Sequence, residues 1–213
     1  MKTTALSALI AICAAATALA APAVPGTLAS YLALGAAGAT IGSTLFSNFT
    51  LDPNQSGATQ IPTSILVTPI NLFGAPALQF SVMQTALAGE LFELKLSYKV
   101  QDISIVGAES ALGTASATGD AAVTATLDLN GMATLIAVVT AGSSTLSDQA
   151  SFFSVAQLTA HADFVVDGGA SGQGSAGTFT NRYTIVPVPE PTAALYGLAT
   201  LALCATRRFR RSA

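Results

Sequence analysis

"ELFELKLSYKV", residues 90–100, alternates without a break from Phe92 onward. Phe92, Leu94, Leu96, Tyr98 and Val100 fall on one side of an extended chain, and Glu93, Lys95, Ser97 and Lys99 on the other. Successive side chains of a strand point to opposite faces, so this period of two predicts a half-buried β-strand with one face on a core. A helix would spread the same apolar residues around its circumference.

The neighbouring sequence repeats the pattern. "VTATLDLNGMATLIAVV" (123–139) predicts a hairpin turning on Asn130-Gly131, a dipeptide suited to a two-residue turn with positive φ at both positions. Pairing Leu129 with Met132 would set Val123, Ala125 and Leu127 opposite Val138, Ile136 and Thr134. Further strand candidates are 44–51, 64–68, 78–83, 102–106, 151–159, 162–167 and 178–186, most of them separated by Gly, Pro, Asn or Asp. Residues 31–40, "YLALGAAGAT", fit strand and helix about equally. "FSVMQ" (80–84) and "FSVAQ" (153–157) echo each other, either as equivalent strands of two sheets or by chance, and no repeat architecture follows. The expectation is an all-β fold, an antiparallel, Greek-key-like β-sandwich forming one domain over 21–187.

The two ends have a different character. Residues 1–20 carry Lys2 early and then an uncharged run rich in Ala, Leu and Ile that closes on Ala18-Leu19-Ala20. Small residues at Ala18 and Ala20 make an A-x-A cleavage site, so the segment reads as a secretory signal peptide cut after Ala20. Ile12 stands before Cys13, where a lipid-attachment cysteine would need a small residue. The other cysteine, Cys204, lies near the far end, so a chain cut near both ends keeps no thiol for a disulfide or a zinc site.

Thr192–Thr206 is an uncharged run of 15 residues. As a helix it would span about 22 Å, short of a hydrocarbon core of about 30 Å. Arg207, Arg208, Arg210 and Arg211 follow at once, and their long stems reach the headgroups while the charge stays in water. Such a basic end favours the cytoplasmic side and leaves the preceding domain outside. Pro187, Pro189 and Pro191 withdraw three backbone donors just before the run and favour extended chain that a protease can reach.

Val188-Pro189-Glu190-Pro191, the apolar run and the terminal arginines together resemble the PEP-CTERM sorting signal of exported Gram-negative proteins. The resemblance implies that residues 188–191 are the motif read by an exosortase, a membrane-embedded cysteine protease or transpeptidase. Residues 188–213 would then be a transient transmembrane anchor in the inner membrane, removed as the protein passes to the cell surface or the extracellular matrix. "FVVDGGASGQGSAGTFTNRYTIVPVPEP" (164–191) also resembles the closing strands of a common secreted PEP-CTERM domain of unknown function.

Between the signals stand ten acidic residues against three basic ones, Lys95, Lys99 and Arg182, a balance of −7. Such a surface repels nucleic acid and anionic lipid, which excludes nucleic acid as a partner. His161, the single histidine, shares strand parity with Asp163 and is the one candidate base, but no G-x-S-x-G accompanies it. "GQGSAG" (172–177) matches a dinucleotide-loop spacing; a strand pattern follows it where a helix is needed, so it reads as a flexible loop. Glu90 and Glu93 differ in parity and cannot face each other as a glycosidase pair, and the chain has no tryptophan for stacking a sugar. Asp163 and Asp167 share parity and are candidate Ca²⁺ ligands, without an EF-hand loop to support them. Asn48 and Asn54 open N-x-S/T sequons and read as surface turns.

The expected protein is not an enzyme and needs no cofactor. It is exported by the Sec translocon and signal peptidase, sorted by exosortase, and structural or adhesive in exopolysaccharide or biofilm assembly. The alternatives are a carbohydrate- or Ca²⁺-binding module, and a hydrolase built around His161.

Overall fold

The computed structural model describes residues 20–52 and 64–186. Ala18, Cys13, Asn54, Cys204, the motif at 188–191, the apolar run at 192–206 and the arginines at 207–211 lie outside the described residues. The described residues form an all-β, antiparallel structure with one short helix and a single two-residue parallel pairing.

Strand β7 (Leu91–Leu112) is the spine. It contains the quoted stretch from Leu91 onward and the 102–106 candidate as one element, because the polar break between them is satisfied in place. Asp102, nearly buried, accepts the hydroxyls of Ser43 (2.9 Å) and Thr44 (2.5 Å) and the Ile103 N–H (2.6 Å). β12 (Ser147–Asp167) pairs with β7 along its length, absorbing two register shifts between Ser151 and Gln157. The separate candidates 151–159 and 162–167 are therefore also one strand.

These two long strands serve two layers. In the first layer β7 is flanked by β4 (Thr44–Leu51) at Gln101–Leu96, while the second half of β12 carries β9 (Ala122–Asp128) and then β10 (Thr134–Thr140). In the second layer the far half of β7 carries β13 (Gln173–Ile185), then β6 (Ala75–Leu87) and β5 (Leu66–Leu72). Small strands complete the edges. They are β1 (Ala21–Pro22), β2 (Gly26–Thr27), β3 (Ala39–Ile41), β8 (Ala115–Thr118) and β11 (Ser144–Thr145). The two layers are parts of one hydrogen-bonded sheet. Helix α1 (Leu28–Leu32) is capped by Thr27, whose hydroxyl accepts the Ser30 N–H at 3.2 Å.

The layers meet through aromatic side chains. Phe164 of β12 stacks on Phe179 of β13 with ring centres 4.9 Å apart, and Phe179 stacks on Phe80 of β6 at 4.6 Å. Beside them the hydroxyls of Tyr98 and Tyr183 bond at 2.8 Å, and Asn181 Nδ2 donates to Tyr98 at 3.0 Å. Burial pushes the Tyr98 phenol up to about 12. Every apolar residue read on the inner face of the quoted stretch, from Phe92 to Val100, is buried.

Several expectations change. The β9–β10 hairpin turns at Asn130 (φ 52°) and Gly131 (φ 81°), but the Leu129 N–H donates to the Ala133 carbonyl, so Met132 is an extra residue. The register moves by one and sets Leu127 opposite Leu135, Ala125 opposite Ala137 and Val123 opposite Val139. A one-residue slip exchanges the two faces of a strand. The observed register buries Leu135, Ala137 and Val139 and leaves Ile136 outside.

"GQGSAG" is a strand for most of its length: Gln173–Ala176 of β13 is held on both sides, by β6 and by β8. Strand pairing uses only backbone groups, so a run of small residues is no obstacle once partners stand on both edges. Asn48 lies inside β4 beside a register shift, not in a turn. Residues 31–40 divide between the end of α1, a turn and the start of β3. The two FSV echoes are not equivalent: Phe80 is in the core and Phe153 is 97% exposed.

Candidate functional site

Because β9, β12, β7 and β4 lie side by side, their outward side chains form rows across the first layer. One row holds Asp128, His161, Ser97 and Thr50, and the next holds Thr126, Asp163 and Lys95, with Asp52 at the end of β4. The Asp52 N–H donates to the Lys95 carbonyl at 3.1 Å, which fixes that end. Asp52, Lys95, Ser97, Thr126, Asp128, His161 and Asp163 line a cavity of about 280 Å³.

The electrostatics of this cleft are uneven. Lys95 Nζ lies 2.7 Å from Glu93 Oε1, and that bond holds its ammonium above the ordinary lysine range. Asp163 is pushed above the ordinary carboxylate value of 3.8, first by desolvation and then by Glu93, against the opposing pull of Lys95. Its Oδ1 is shut off from solvent without a hydrogen-bond partner. A shielded, partnerless acceptor is costly to the fold.

The hydroxyl of Ser97 and Nδ1 of His161 are 2.7 Å apart. The histidine thus has a serine beside it and an aspartate in its row, the three residue types of a hydrolytic triad. Acyl transfer also needs hydrogen-bond donors, from backbone or side chains, at the developing oxyanion. At Ser97 strand β7 is paired on both sides, to Thr50 and to His161, so its backbone there is committed to the ladders.

Asp167 is not brought to Asp163. Four residues along a strand separate them by about 13 Å, and Asp167 Oδ1 accepts the Gly169 N–H at 2.8 Å. Shared parity puts two side chains on one face without making them neighbours. Among the described residues no group of three or more His, Cys, Asp or Glu is placed to hold a metal ion. Glu90 precedes β7 and accepts the Leu87 N–H at 2.9 Å, a turn contact. The loop after β12 is held by Asp120, which accepts from the backbone of Ala170 and Ser171 at 2.9 Å each. Those bonds pull its carboxyl below the ordinary value.

Sequence reading found His161 and Asp163 and missed their neighbours. Ser97 and Lys95 were legible as a polar face, but their meeting with Asp128 depends on which strands lie side by side. Parity alone does not encode that.

No family model matches the chain, and no curated protein matches it. Among solved structures, one described as TmCBM61 in complex with β-1,4-galactotriose is similar at 12% identity. The match covers 64% of this chain and 86% of that one with a TM-score of 0.29. Among the described residues no helix is long and apolar enough to cross a membrane.

Proposed function

We propose that the protein is an exported, non-catalytic surface or matrix component of a Gram-negative cell. The Sec translocon and signal peptidase deliver it, and an exosortase sorts it at Val188-Pro189-Glu190-Pro191. The observation that carries this reading is the succession of motif, apolar run and arginines directly behind β13. β13 ends at Ile185, and its last deeply buried side chain is Tyr183. A cut in or after the motif therefore removes no core residue described here. Deleting Pro189–Pro191 tests it: the variant should accumulate in the inner-membrane fraction, and release or surface display equal to the parent's would overturn the reading.

The cleft favours a second role, binding of a neutral polysaccharide in the matrix. Carboxylate, ammonium, imidazole and hydroxyl groups in one cavity match the mixed donors and acceptors of sugar hydroxyls. Asp163 supplies the charged acceptor, and charge-assisted bonds are roughly twice as strong as neutral ones. Because its pKa is raised in the folded state, that state holds the proton more tightly, and stability falls as pH rises from 3.8 through the folded value. Asp163→Asn should therefore unfold at higher denaturant than the parent at neutral pH, with the difference gone below 3.8. The same stabilised variant should bind glycans more weakly on a glycan array. A parent that selects no glycan, or a variant that binds as well, would remove this role.

A further inference from the structure

The end of the molecule from which the C-terminal segment leaves carries several exposed apolar side chains. Val186 donates its N–H to the Ser104 carbonyl at 3.0 Å, and the Ser104 and Ser154 hydroxyls bond at 2.9 Å. Next to those serines stand Ile103, 65% exposed, and Phe153 at the irregular part of β12. The tip of the β5–β6 hairpin belongs to the same end. β13 pairs with β6 with Arg182 opposite Ala77, and continuing that register brings Phe73 level with Val186.

Phe73 is fully exposed and holds φ at 54°, beside Gly74 at 81°. A turn with positive φ at both positions favours Asn-Gly, and a bulky residue there is strained. Fold stability gives no reason for a phenylalanine at this place, and strain of this kind points toward function. Leu72 and Val186 are also exposed. The charged group nearest in sequence, Asp102, is turned inward and occupied.

We propose that this end is the face on which the anchored precursor rests against the bilayer, with Phe73 and Phe153 lying in the interfacial region. The inference rests on reading 192–206 as a membrane anchor. Six residue steps join Val186 to Thr192, at most about 22 Å of chain, so this end is held near the surface. The opposite end of β6, at Leu87, lies about 40 Å further along the strand. Aromatic side chains favour the membrane interface, and the carboxylate beside them, Asp102, is already occupied by the Ser43 and Thr44 hydroxyls.

The chain contains no tryptophan, so single substitutions report cleanly. Phe73→Trp, Phe153→Trp and Leu87→Trp would be made in the full precursor and reconstituted into phosphatidylcholine vesicles bearing a headgroup-level quencher. Leu87 is an exposed apolar control at the far end. The expected result is blue-shifted emission and loss of most fluorescence at 73 and 153, with Leu87→Trp unaffected. Equal quenching at all three sites, or none at 73 and 153, in vesicle-bound protein overturns the proposal and leaves the sorting reading intact. Failure of the precursor to associate with vesicles overturns both.

Discussion

Phe80→Ala is expected to cost about 3–5 kcal/mol of folding free energy, while Phe153→Ala changes stability by less than about 0.5 kcal/mol. Both residues open the same tripeptide, Phe-Ser-Val, in "FSVMQ" and "FSVAQ". Phe80 is completely buried and stacks on Phe179, which in turn stacks on Phe164 across the two layers. Removing its ring deletes a large apolar surface, leaves a cavity between layers and breaks the stack at one end. Against a typical stability of about 5–15 kcal/mol, that loss is a large part of the total. Denaturant unfolding at a common pH decides it: the Phe80 variant should shift its midpoint strongly with an unchanged slope, and the Phe153 variant should overlay the parent. Equal shifts would mean that the two strands are equivalent after all and that the described register is wrong.

Gly168→Ala is the second large effect. Gly168 follows β12, and a methyl group built there would stand 1.8 Å from the Leu87 carbonyl oxygen and 2.4 Å from its carbon. Both atoms are backbone, so no rotamer change makes room. The Gly168 N–H also donates to the Glu90 carbonyl at 3.0 Å, and the Gly89 N–H to Gly169 at 2.6 Å, so the two segments are tied together where the clash falls. The end of β6 must separate from the end of β12, at a cost of about 3 kcal/mol or more. Gly142→Ala is the matched control, since nothing lies within 4 Å of its added methyl. The control should be neutral or slightly stabilising, through the narrower unfolded ensemble. Thermal or denaturant unfolding of the pair separates crowding from any general effect of replacing glycine.

Legibility in the sequence followed the range of the interaction involved. The inner face of 90–100, the positive-φ turn at Asn130-Gly131 and the strand at 44–51 were readable because alternation and turn chemistry are local. The hairpin register was misread by one residue, since the choice between burying Ile136 and burying Leu135 is made by the layer opposite. His161 and Asp163 were visible as rare polar residues on a strand. Their meeting with Ser97, Asp128 and Asp52 was not, because those residues lie on β7, on β9 and just after β4.

By itself, the sequence determined that the chain is built of strands, which faces of the quoted stretch are apolar, and that its two ends differ in kind from the middle. Those properties reside in neighbouring residues, through the period of two and the runs of charge. Tertiary structure alone decided that β7 and β12 each serve two layers, that one Phe-Ser-Val is core and the other surface, and that the polar cleft and the apolar exit end exist. Each of these depends on backbone pairings between residues far apart in the chain, and a pleated strand presents the same edge groups to every partner it could take.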